Sequence, residues 1–131
     1  MTQDFAVLEE QKLTHCVVRI LSGDIFHIKW DGGKDIEISD IDEVALAFEN
    51  MTRGRKVKVI QEFYHFTSIT NEARKYAAET APDVVAVAYV IKGLGQRMII
   101  RFYLNVRRRK VKSKVFMDME SATRWIDSVE V

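Results

Sequence analysis

Cysteine, proline and long apolar runs are almost absent from this 131-residue chain, and each absence excludes something. The single cysteine, Cys16, rules out an internal disulfide and fits a reducing compartment, so the expected address is the cytoplasm. Pro82 is the only proline, which leaves no proline-rich linker to divide the chain. No apolar run approaches the roughly 20 residues that a membrane-spanning helix needs. Met1–Glu10 carries acids and lacks the basic-then-apolar order of a secretory signal. Internal repeats and low-complexity tracts are missing too. A single domain over residues 1–131 is expected, with residues 1–12 as a flexible N-terminal segment.

Acidic residues are missing from one long window. Between Asp83 and Asp118 there are none, against nine basic residues: Lys92, Arg97, Arg101, Arg107, Arg108, Arg109, Lys110, Lys112 and Lys114. Asp24–Glu49 is the opposite, with eight acids against two lysines. The net charge of +1 calls for no polyanionic partner. The asymmetry instead suggests two faces of one molecule, or of a self-complementary pair.

What is present is an ordered series of elements. His15–Leu21 and Asp24–Trp30 are rich in β-branched and aromatic residues and flank Ser22-Gly23, as two strands around a turn do. Phe26, Ile28 and Trp30 alternate with His27 and Lys29, which predicts a half-buried strand with His27 outside the core. Asp31-Gly32-Gly33 is a turn, and Asp35–Ile38 adds a short strand. Ser39 or Asp40 opens a first helix, with Asp42 or Glu43 three residues on completing a capping box. Its apolar face is Ile41, Val44, Ala45, Phe48 and Met51, and Gly54 ends it. Lys56–Phe63 is the next strand. Thr70 caps a second helix carrying Ala73, Ala77 and Ala78, which Pro82-Asp83 stops. Val84–Ile91 is nearly all apolar, as in a strand covered on both faces. A third helix is expected over Gly95–Val106, then a strand over Lys114–Met117. A last helix begins at Asp118, with Ala122, Trp125, Ile126 and Val129 on one side. Strands alternating with single helices imply an α/β sandwich: a mixed sheet with a parallel core and about four helices.

That order resembles the STAS fold of bacterial anti-sigma-factor antagonists, the SpoIIAA-like proteins. Phe116 followed by acids and then Ala122, Trp125 and Ile126 is similar to their closing pattern. Glu62-Phe63 with Phe66 and Ile69 resembles the segment that runs from the central strand into their second helix. The resemblance covers Arg19–Val129 and implies a bacterial-type regulatory domain. In the phosphorylation-switched members the second helix begins with an Asp-Ser-Ser-Gly-type sequence whose serine is phosphorylated by a partner kinase. Here Thr70-Asn71-Glu72-Ala73 stands in that place. The serine positions hold Asn71 and Glu72, so the resemblance does not extend to the switch. Ser68 and Thr70 are the hydroxyls left nearby as candidate phosphoacceptors, with capping and turn roles as the simpler reading.

Catalysis needs a nucleophile or an acid–base pair within reach. Of the three histidines, His15 neighbours Cys16 in a strand, so the two side chains face opposite sides and cannot share a ligand. His65 lies between Tyr64 and Phe66 in a loop. Metal-binding, redox, nucleophile-elbow and phosphate-loop motifs are all missing. Gly93-Leu94-Gly95 sits where a nucleotide-binding turn would, but Met98 occupies its third glycine position. The expectation is a non-enzymatic domain with no cofactor and no metal.

The binding readings centre on the third expected helix. At about 100° per residue, Met98, Ile99, Phe102 and Val106 share one stripe, while Ile100 and Leu104 fall opposite, flanked by Arg97 and Arg101. Exposed aliphatics beside arginines match a protein interface, so Arg97, Ile100, Arg101 and Leu104 are the candidate contact set. A homodimer and an unidentified protein partner are the expected assemblies. The alternative is a lipid or anionic membrane surface, met by the same helix and the basic run Arg107, Arg108, Arg109 and Lys110. That run would also suit nucleic-acid phosphates, but no nucleic-acid motif flanks it and nucleic acid is disfavoured.

Overall fold

A computed structural model describes residues 5–64, 67–91 and 111–130 of the chain. Its main feature is a six-stranded sheet in the order β1-β2-β3-β5-β7-β8. The strands are β1 (Val7–Lys12), β2 (Cys16–Leu21), β3 (Ile25–Trp30), β5 (Lys58–Phe63), β7 (Ala86–Ile91) and β8 (Lys112–Phe116). β1, β2 and β3 are antiparallel neighbours, whereas β3, β5, β7 and β8 all pair in parallel. The expected mixed sheet with a parallel core is what forms. Two short strands, β4 (Asp35–Ile36) and β6 (Ser68–Ile69), make a separate parallel ribbon. Among the described residues there are three helices: α1 (Ile38–Thr52), α2 (Asn71–Thr80) and α3 (Met119–Ser128). The helix expected over Gly95–Val106 lies outside the described residues.

The strand alternation feeds two cores. Phe26, Ile28 and Trp30 of β3, Val59 and Phe63 of β5, and Val87, Tyr89 and Ile91 of β7 point to one face, where α1 and α2 pack. Ile25, Ile60, Ala86, Ala88 and Val90 point to the other, under Ala122 and Ile126 of α3. All six residues of β7 are buried, which is why its sequence shows no polar alternation. α1 and α2 each link one parallel strand to the next in the same direction along the sheet and share one face, as crossovers of a single hand require.

Two expectations are corrected here. Val7–Lys12, expected within a flexible segment, is an edge strand held by five register pairs with β2. Its residues are mostly exposed, so neither periodicity nor apolar content marked it; pairing with β2 alone makes it a strand. His27, expected outside the core, is 5% exposed. The alternation did separate it from Phe26 and Ile28, but the face it joins is also covered.

The helix ends follow ordinary capping. The Thr70 hydroxyl accepts from the Ala73 amide at 3.1 Å, and the Asp118 carboxylate from the Ser121 amide at 2.7 Å. That bond from Ser121 holds the Asp118 carboxyl below its ordinary value. α1 begins earlier than expected. Glu37 is its N-cap, and the Glu37 amide donates to Asp40 Oδ2 at 2.9 Å, so Asp40 is the far member of the box rather than its start. At its other end Arg53 takes a left-handed backbone (φ 52°) ahead of Gly54 (φ 78°). The Arg55 guanidinium then donates to the carbonyls of Thr52 and Met51, two of the last acceptors of the helix.

Candidate functional site at the carboxyl end of the sheet

In open α/β sheets, sites gather where the parallel strands end and the following helices begin. Here that end is built from the β4–β6 ribbon, the first turns of α1 and α2, and the turn between β1 and β2. Several bonds lock these pieces together. Ser68 N donates to Lys34 O at 2.9 Å, Thr70 N to Ile36 O at 3.1 Å, and Thr67 Oγ1 to Asp31 O at 2.9 Å. The β1–β2 turn is fastened to α1 by two acids. Glu43 accepts from the Thr14 amide at 3.0 Å and the Thr14 hydroxyl at 2.8 Å. Asp40, 3% exposed, places Oδ1 2.9 Å from His15 Nδ1.

Between the two helix starts lies an open polar crevice lined by Glu37, Ile38, Ser39, Thr70, Asn71 and Glu72. Two helix N-termini side by side would ordinarily attract an anion. This crevice already carries the carboxylates of Glu37 and Glu72, which meet the same partial charges and repel a second anion. Both candidate phosphoacceptors are occupied as well. The Thr70 hydroxyl is the α2 cap, and the Ser68 hydroxyl donates to the Asp35 carboxylate. A phosphate on Ser68 would break that bond and stand against Asp35; one on Thr70 would stand beside Glu72. The start of α2 is thus self-satisfied and acidic.

Among the described residues, His15 and His27 pair with carboxylates rather than with a nucleophile. His15 contacts Asp40, and His27 Nε2 lies 3.1 Å from Glu62 Oε1 on the α3 face of the sheet. Register sets further polar residues beside this pair: Glu10 is level with Arg19, and Arg19 with His27. Arg19 Nε also donates to Glu10. Cys16, one residue from His15, points into the core beneath α1 and α2. Burial, reinforced by the Glu43 charge, pushes its thiol up to about 12, so it is a packed thiol and a poor nucleophile. Among the described residues no cluster of His, Cys, Asp and Glu is arranged to hold a metal ion. Among them, too, no helix is long and apolar enough to cross a membrane.

Of the residues singled out from sequence, this region brings together Ser68 and Thr70. The contact set Arg97, Ile100, Arg101 and Leu104, the basic run Arg107, Arg108, Arg109 and Lys110, and His65 lie outside the described residues. Sequence reading missed Asp40 and Glu43 as the fasteners of the β1–β2 turn, and Glu62 as the partner of His27. Only the spacing of Glu37 and Asp40, right for a capping box, carried a signal for any of them.

Comparison with known proteins agrees with this architecture. Residues 19–130 match the family described as a domain of unknown function, DUF7793. Comparison with curated proteins gives no match. Among solved structures, the chain is similar to an uncharacterised protein of the DUF3478 family from Shewanella loihica PV-4, described as having a SpoIIAA-like fold. The TM-score is 0.57 at 13% identity, covering 96% of this chain and 98% of that one.

Proposed function

Because the chain belongs to the DUF7793 family and has a SpoIIAA-like fold, we propose that it is a non-enzymatic regulatory domain. It acts by protein–protein contact and without a phosphorylation switch. The observation that carries this reading is the α2 start, where Thr70 and Ser68 are held by internal bonds beside Glu37, Glu72 and Asp35. A helix start with a permanent negative charge and engaged hydroxyls presents one constant surface to a partner. His15 and His27, each paired with a carboxylate, fit a role in binding better than one in catalysis.

The contact surface assigned to this role is the sequence 97–104, where Arg97 and Arg101 flank Ile100 and Leu104. Apolar centres beside arginine are the compositional mark of interfaces. With an acidic stretch over Asp24–Glu49 in the same chain, that surface suits a second copy, and the domain is assigned as a homodimer. Size-exclusion chromatography with light scattering tests this on the wild type and on Ile100→Asp/Leu104→Asp. The expected result is a dimer that the double substitution makes a monomer. A wild-type monomer that sediments with anionic liposomes, and is released by salt, would overturn it in favour of a membrane-surface role.

A further inference from the structure

On the covered face of the sheet, α1 and α2 do not close completely over the strands. A cavity of about 90 Å³ remains between them. Its floor is Phe26 of β3, Val59 of β5 and Val87 of β7, all buried. From the helices, Ile41, Val44 and Phe48 of α1 line it, and the short side chains of Ala45 from α1 and Ala77 from α2, with Ala81 just beyond, leave the gap. Ala45 and Pro82 are exposed, so the cavity opens to solvent at that lip. Tyr76 donates to Asp42 across the two helices, a bond that holds them at this spacing.

We propose that this gap is a binding site for a small apolar molecule, about one aromatic ring in size and bearing one hydrogen-bond acceptor. An apolar-walled gap offers water few partners, so a ring-sized apolar guest displaces it readily. The acceptor requirement comes from Gln61, the one lining residue with a polar side chain among the described residues. Trp30 Nε1 can only donate, and it donates to Gln61 Oε1 at 3.1 Å. This fixes the amide orientation and leaves the NH₂ end as the donor, which no hydrogen bond among the described residues occupies. A pocket with apolar walls and a single fixed donor orients its guest through that donor. The inference is independent of the interaction surface proposed above.

The test uses the full chain, with phenol and toluene as probes of equal size, followed by methyl and side-chain amide NMR. Phenol is expected to give saturable shifts in the methyl groups of Val59 and Val87, and in the Gln61 side-chain NH₂ pair. Toluene is expected to move the same methyl groups but not the amide. Ala77→Leu, which fills the gap, is expected to weaken both by at least tenfold while keeping the wild-type melting temperature or raising it. Should that variant not fold, Ala45→Leu at the lip serves the same purpose. The proposal is overturned by a wild type without saturable shifts at these residues, or by a folded filled variant that binds phenol like the wild type.

Discussion

Asp40 ties the first turn of α1 to the turn between β1 and β2, and removing it is a quantitative test. Its Oδ2 accepts from the Glu37 amide at 2.9 Å and its Oδ1 contacts His15 Nδ1 at 2.9 Å, with the side chain 4% exposed. Asp40→Ala deletes one of the two reciprocal bonds of the capping box, costing about 1 kcal/mol. It also deletes a bond to a carboxylate, worth about 1.5–3 kcal/mol when nothing replaces it. His15 is 29% exposed, so water takes up part of that second loss. The net expectation is about 2–3 kcal/mol, or roughly 6–12 °C in Tm for a chain of this length. Asp40→Asn keeps an acceptor for the Glu37 amide and should cost about 1 kcal/mol less. Urea unfolding followed by Trp30 and Trp125 fluorescence measures both, with the slope unchanged. A double-mutant cycle with His15→Ala should return a coupling of about 1 kcal/mol. A cost below about 0.5 kcal/mol for Asp40→Ala, well under a typical cap, would refute this account of how the β1–β2 turn is held to α1.

Further perturbations read out other parts of the molecule. Thr70→Ala should cost about 1 kcal/mol by loss of the α2 cap, while Thr70→Asp, which can still cap, should be close to neutral in thermal melts. Because His27 and Glu62 are buried together, 3.1 Å apart, Glu62→Ala should cost about 1–3 kcal/mol in the same melts, by leaving the buried imidazole short of a partner. The raised Cys16 thiol makes the unfolded chain ionise first, from about 9.0 upward. The unfolded state then holds fewer protons than the folded one, so stability falls as pH rises from about 9 to about 12. The slope from this group is at most about 1.4 kcal/mol per pH unit, and Cys16→Ala should flatten it in urea titrations at stepped pH. Filling the α1–α2 gap with Ala77→Leu should leave Tm unchanged or raise it in thermal melts, since the added methyl groups cover the apolar floor of Phe26, Val59 and Val87.

Much of the fold was legible because its signals are local. The apolar run ending at Ile91 declares a strand covered on both faces, and Thr70 and Asp118 declare helix starts through their short polar side chains. The apolar stripe of α1 predicts its packing face, and the order of elements predicts the parallel core. What stayed hidden depends on partners distant in sequence. β1 is a strand only because β2 lies beside it, 9 residues along in the pairing of Glu10 with Arg19. His27 is buried because α3, some ninety residues later, helps cover a face that alternation marks as outer. The β4–β6 ribbon has two residues on each side and no periodicity to read. The same limit applies at the site: Asp40 and Glu43 look like helix-start acids, and only the folded chain shows them gripping Thr14 and His15.

Cross-linking tests most directly the proposed contact of residues 97–104 with a second copy. A photo-reactive phenylalanine analogue in place of Leu104, irradiated in the purified protein, should give a covalent species of twice the chain mass. The same analogue in place of Glu79, exposed on α2, should give none. Equal yields at the two positions, or no dimer from position 104, would contradict the account.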